Sequence, residues 1–132
     1  MSGGGTSSLL LDKATQVVPL PNFSLQSRVA HFAVSSPFVP LHPCSLNEAG
    51  EMETQYALPQ GAELHTSWTT STKVPISIAK QTNTTGPVLL QMYDAYGAIV
   101  PAKFDPITEV LLHRGWTVAT AHLSGGGMRF TK

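Results

Sequence analysis

The sequence predicts an α+β fragment: strands and turns over most of its length, then one strand, helix and strand near the end. Three observations predict it. Only 12% of the 132 residues are charged, about half the usual share, while 12 Ser and 14 Thr supply much of the polarity, a balance that favours strands and loops. Apolar residues fall in short runs punctuated by Pro, Gly and Asn. One segment, Asp105 to Gly115, carries both helix start and helix stop signals. The 42% hydrophobic share argues against disorder throughout, and the length suffices for one ordinary domain.

The first 25 or so residues are rich in Gly, Ser and Pro, with Leu9-Leu10-Leu11 and Val17-Val18 as apolar punctuation, and predict a short strand pair or a frayed tail. Arg28 to Val34 alternates as a strand, with Ser35-Ser36-Pro37 expected to break it. Pro40 and Pro43 restrict the next segment to an edge strand or an irregular connection, because proline offers no N–H to a ladder. Asn47-Glu-Ala-Gly50 reads as a turn, and Glu53 to Leu58 as the returning strand of a β-meander.

Leu64 to Thr69 and Val74 to Ala79 predict a second hairpin, linked by the polar Thr70-Ser71-Thr72-Lys73. Charge changes near here: Val29 to Thr72 holds four Glu and no Lys or Arg, whereas Lys73 to Lys132 holds six basic and three acidic residues. A boundary near residue 62 is therefore expected. Val88 to Tyr93 has the uninterrupted apolar character of a strand buried on both faces. Asp105 suits an N-cap, Pro106 the first helical position, Ile107, Val110 and Leu111 a single apolar stripe, and Gly115 the left-handed residue beyond the end. With Trp116 to Leu123 as the next strand, Val88 to Leu123 forms a strand–helix–strand unit whose two strands run parallel. Two parallel strands cannot cover both their own faces, so the chain is expected to stop within a domain.

Equal numbers of acidic and basic residues, eight of each, leave no electrostatic footprint for nucleic acid or an anionic membrane. Apolar runs such as Val88-Leu89-Leu90 fall far short of the roughly 20 residues a spanning helix needs. The single cysteine, Cys44, forms no internal disulfide and is expected to be a small, partly buried side chain in a cytoplasmic protein. His31, His42, His65, His113 and His122 show no metal-ligand spacing, and His122 is expected to be a hydrogen-bonded core residue. No metal or cofactor is expected. Gly125-Gly126-Gly127 follows a strand but matches neither nucleotide-binding pattern, and GxSxG, the elbow of a serine hydrolase, is missing from these 132 residues. Asn22-Phe-Ser24 and Asn83-Thr-Thr85 match the glycosylation sequon by chance alone. Tyr93-Asp-Ala-Tyr-Gly97 sits where open α/β sheets place their ligands, and a phenol there can donate to a developing oxyanion; a turn with two packing tyrosines is the plainer reading.

The blocks Lys73-Val-Pro-Ile-Ser-Ile-Ala79, Pro87-Val-Leu-Leu90, Tyr93-Asp-Ala-Tyr-Gly97, Phe104, Leu111-Leu-His-Arg-Gly115 and Ala121-His-Leu-Ser-Gly-Gly-Gly127 resemble, in order and spacing, the prolyl oligopeptidase family of serine peptidases, most closely oligopeptidase B. Val29 to Leu58 resembles the family's closing propeller strands. The resemblance implies a β-propeller capping an α/β-hydrolase domain that cleaves short peptides through an acyl-enzyme. On that basis residues 1–62 would be the end of the propeller and 63–132 the start of the hydrolase domain, with the rest of both domains expected in cis. It further implies Tyr93 as a candidate oxyanion donor and Tyr96 as a residue lining the substrate pocket. The serine, aspartate and histidine of the triad would all lie beyond Lys132.

The pattern also departs from the family. Met92 and Asp94 stand where glycines are usual, Gln91 where a tyrosine is common, and Ser124 and Met128 replace a charged pair around the triple glycine. Met128-Arg-Phe-Thr-Lys132 no longer follows the family. A divergent paralogue with a truncated or frameshifted gene would account for these changes. The alternative function is a catalytically inactive fragment or pseudoenzyme acting as a β-rich interaction module, since a site lacking its nucleophile keeps only residual catalysis.

Overall fold

The computed structural model describes residues 14–123. Along them run β1 (Gln16–Pro19), β2 (Ala30–Ser36), β3 (Val39–Leu46), β4 (Met52–Glu53), β5 (Ala62–Trp68), β6 (Pro75–Gln81), β7 (Val88–Met92), a helix here called α1 (Pro106–His113), and β8 (Thr117–Ala121). The chain is mostly β with one helix among the described residues, as expected. It separates into two compact units: residues up to Pro59 with Lys103–Asp105, and Gln60–Ala102 with the residues from Pro106 onward. Leu9 to Leu11 and the triple-glycine loop lie outside the described residues.

The first unit is an antiparallel meander in the order β1-β2-β3-β4. Its turn at Asn47–Gly50 forms as expected: the Gly50 N–H donates to the Asn47 carbonyl over 3.0 Å, and Gly50 takes a φ of +77°. Pro40 falls in a bulge, because the register passes from Val34 opposite His42 to Ser36 opposite Val39 and so leaves an extra residue on β3. Two expectations need correction. Ser35 and Ser36 do not break β2; both are buried within it. The strand continues because their hydroxyls find partners, Ser35 Oγ donating to Gln16 Oε1 over 3.0 Å and Ser36 Oγ accepting from the Phe38 N–H over 3.3 Å. The returning strand is only Met52–Glu53, and Thr54 to Leu58 runs on without a ladder.

That irregular stretch nevertheless closes the core. Tyr56 packs with Val34 and Cys44, flanked by Phe32, Val39 and Leu58. The Thr54 hydroxyl accepts from the Cys44 thiol at 3.1 Å and from the Tyr56 N–H at 3.0 Å, which ties the segment to β3 without strand pairing. Burial pushes the Tyr56 phenol above its usual value, and its hydrogen bond with Ser36 offsets this only in part.

The second unit is a mixed sheet in the order β5-β6-β8-β7. β5 and β6 form the expected hairpin, in register from Ala62 opposite Gln81 to Trp68 opposite Pro75. Its turn is held by the Val74 N–H donating to Thr69 Oγ1 over 2.9 Å, with Lys73 left-handed at a φ of +54°. β7 and β8 pair in parallel from Val88 opposite Thr117 to Met92 opposite Ala121, as the strand–helix–strand reading requires. β8 also pairs antiparallel with β6, a contact the sequence did not announce.

Helix α1 ends as expected. Gly115 is left-handed at +80°, its N–H donates to the Leu112 carbonyl, and the Trp116 N–H donates to the Leu111 carbonyl, both over 3.0 Å. Its apolar stripe is corrected, however: Thr108 and Leu112 are the buried residues, while Ile107 and Val110 face solvent. The helix packs on β6 and β8 through the 108–112 row, and residues 107 and 110 point away from that row by the helical period. β7 also departs from expectation. Among the described residues it is an edge strand, with Val88, Leu90 and Met92 exposed rather than buried on both faces.

Where Gly86 leads into β7, a Cβ added to it would stand 2.1 Å from the Gly115 carbonyl oxygen. Only glycine allows the backbone before β7 to come this close to the end of α1. The Pro87 carbonyl then accepts the Thr117 N–H over 2.9 Å and opens the parallel ladder.

Candidate functional site

Parallel strands expose their carboxyl ends together, and here those of β7 and β8 meet beside the Tyr93–Gly97 segment. The segment turns tightly: the Ala98 N–H donates to the Ala95 carbonyl over 3.1 Å, and Tyr96 and Gly97 are both left-handed, at +53° and +68°. A small cleft forms between the strand ends, lined by Tyr93, Ala98, Ile99 and Val100 on one side and Ala121, His122 and Leu123 on the other. Tyr93 is 44% exposed and lines it. Tyr96 is 98% exposed and lies outside its lining.

The structure adds a pair that sequence reasoning missed. His122, just past β8, is half-buried, and its Nε2 lies 2.8 Å from Ser77 Oγ on β6. The contact follows from the pairing of Ser77 with Thr120, which brings the residue two positions on diagonally opposite, and from the His122 N–H donating to the Pro75 carbonyl over 3.0 Å. Burial lowers the basicity of His122 below its ordinary value and so favours the neutral ring. A neutral imidazole and a hydroxyl at this distance can exchange donor and acceptor roles, with the tautomer deciding the direction. The expectation of a hydrogen-bonded histidine is met, but at the lip of a cleft rather than in the core.

A larger, apolar depression in the first unit is lined by Leu20, Pro21, Asn22, Phe23, Ser24, Ser27 and His31. It gathers no pair of reactive groups. Among the described residues no cluster of three His, Cys, Asp or Glu side chains is placed to hold a metal ion. No helix among them is long and apolar enough to cross a membrane.

Comparison with known proteins bears on this geometry. No family model matches the chain. A 58-residue stretch is 36% identical to a prolyl endopeptidase-like protein of Pongo abelii, covering 41% of this chain and 8% of that protein. The likeness is to the prolyl oligopeptidase family. Among solved structures, a prolyl endopeptidase superposes over 86% of this chain and 18% of its own at a TM-score of 0.66 and 19% identity. Oligopeptidase B from Trypanosoma brucei, with covalently bound antipain, does so over 76% and 16% at a TM-score of 0.58 and 24% identity. Prolyl oligopeptidase B from Galerina marginata, bound to a 35mer substrate, covers 86% and 18% at a TM-score of 0.64 and 15% identity. The chain thus spans 8% of the length of the curated relative and under a fifth of each of these structures.

Proposed function

We propose that this chain is the part of a serine-type oligopeptidase in which a β-propeller ends and an α/β-hydrolase domain begins. In this reading residues 1–62 supply terminal propeller strands, residues 63–132 the opening strands and helix of the hydrolase, short peptides are the substrates and the cytoplasm is the compartment. The observation that carries the reading is the superposition on a prolyl endopeptidase over 86% of the chain at a TM-score of 0.66. The 36% identity over 58 residues supports it independently.

Within such an enzyme Tyr93 has a specific task. Its position at the carboxyl end of β7 suits a hydroxyl that donates to the oxyanion of a tetrahedral intermediate, a group that carries full charge only as the reaction proceeds. Tyr93→Phe in the longer protein is therefore expected to lower kcat by about 10²–10³ with little change in KM. Equal losses of binding and turnover would remove Tyr93 from the reaction. The full exposure of Tyr96 leaves its ring free to meet a substrate side chain.

The competing reading is an inactive β-rich interaction module, since a site without its nucleophile keeps only residual catalysis. The transcript beyond the Lys132 codon decides between them. A continuing frame with GxSxG followed by an aspartate and a histidine supports the peptidase; a stop codon there overturns it. The 132-residue chain by itself is expected not to hydrolyse peptides, and turnover blocked by a serine-directed covalent inhibitor would contradict that.

A further inference from the structure

One register row crosses the described strands of the second sheet: Thr66 pairs with Ser77, Ser77 with Thr120, and Thr120 with Gln91. Paired residues share a face, and alternation returns to that face two residues on, so His122 follows Thr120 there and Tyr93 follows Gln91. The ladder of β7 and β8 ends with Met92 opposite Ala121, and its register carried one residue further places Tyr93 beside His122. Their common cleft agrees with this. It leaves about 10 Å³ of free space, room for a single water, so its walls stand close together.

The two side chains are held very differently. Tyr93 lies one residue past the last ladder pair and is 44% exposed. His122 is tethered twice: its N–H donates to the Pro75 carbonyl over 3.0 Å, and its Nε2 meets Ser77 Oγ at 2.8 Å. Both partners belong to β6, which lies between β5 and β8. Of the other cleft walls, Ala98, Ile99, Val100, Ala121 and Leu123 carry aliphatic side chains that only packing can hold. A hydroxyl that stabilises charge in the transition state must be aimed before the charge develops, and a loosely held donor loses that advantage. We propose that His122, clamped by Ser77, is a positioning residue: it is the fixed wall against which the Tyr93 ring is aimed. The role rests on the reading of Tyr93 as the oxyanion donor, while the clamp itself can be tested in the 132-residue chain alone.

The test begins with the side-chain angle of Tyr93 in that chain, read from three-bond NMR couplings with the exposed Tyr96 as the reference. Tyr93 is expected to hold one rotamer in the wild type. Ser77→Ala and His122→Ala are each expected to average its couplings toward those of Tyr96, and Ser77→Thr, which keeps the hydroxyl, to leave them fixed. Thr66→Ala, in the same row but one strand further from His122, should also leave them fixed. If His122→Ala fails to fold, Ser77→Ala decides, since it removes a single oxygen atom. In the longer enzyme His122→Ala is expected to lower kcat by about 10–100-fold with KM unmoved, and to cost nothing further once Tyr93→Phe is present. A merely structural histidine would cost the same in both backgrounds. The inference is overturned by a Tyr93 that turns freely in the wild type, by one that stays fixed without the Ser77 hydroxyl, or by additive losses of kcat. Those results leave the effect of Tyr93→Phe untouched, whereas unchanged turnover in Tyr93→Phe overturns the peptidase role of Tyr93 and this inference together.

Discussion

Among the described residues the meander and the mixed sheet each hold four strands, yet they are wired differently. Every strand of the meander pairs with its neighbours in sequence, so each pairing needs only a turn or a short connection. In the second sheet β7 pairs only with β8 among the described residues, across the whole of α1. Local wiring leaves each strand to be fastened by side chains close to its own turn. Crossed wiring concentrates the demand at one backbone junction, the approach of Gly86 to Gly115.

Substitutions can break that contrast in graded steps. Tyr56→Ala empties the centre of the meander core and is expected to cost about 4 kcal/mol, read as a lower denaturant midpoint. Gly86→Ala forces a Cβ onto a backbone carbonyl at the crossed junction and is expected to cost about 3 kcal/mol. Gly50→Ala, at a local turn with nothing within 4 Å of the added carbon, is expected to cost about 1 kcal/mol. If the two glycines cost the same, the contrast between local and crossed wiring fails.

A smaller effect, of about 1 kcal/mol, is expected from Ser77→Ala, which removes the partner of His122. The same histidine gives the mixed sheet a pH dependence. Because burial disfavours its protonation in the folded chain, the unfolded chain binds the proton more readily, and the two differ between the ordinary value of 6.5 and the lowered folded value beneath it. The contribution of neutral His122 is therefore complete above 6.5 and lost as the pH falls from there to the folded value. A urea midpoint that drops between pH 7.5 and 5 in the wild type should drop less in His122→Gln; identical slopes would show that other groups are responsible. Smallest of all, Arg28→Ala removes an exposed 3.3 Å ion pair with Glu48 and is expected to leave the midpoint unmoved.

Legibility in the sequence divides along the same line. Asn47 to Gly50, Thr70 to Lys73 and Asp105 to Gly115 are legible because turns and helix ends are written by adjacent residues. Ser35 and Ser36 are not, since their place inside β2 rests on a glutamine 19 residues before Ser35 and on how the turn at Phe38 folds back. The burial of β7 and the stripe of α1 mislead for one reason: hydrophobicity marks which residues can be covered, while the layer pressed against them decides which are. Tyr93 is legible as a candidate site residue from its place after an apolar strand. The Ser77–His122 pair is not, because it spans 45 residues and needs the unannounced pairing of β6 with β8.

The order β5-β6-β8-β7 also sets a clock. A chain emerging from its amino end completes the meander and the β5–β6 hairpin as it goes, but β7 emerges with no strand to join. Its partner ends 29 residues later, from Met92 to Ala121, an interval of roughly 1.5 to 6 s at the usual pace of synthesis. Through that interval an uncharged strand without proline waits with both edges open. Substitutions that slow translation between the two strands would lengthen the wait and lower the soluble yield while leaving the finished fold unchanged.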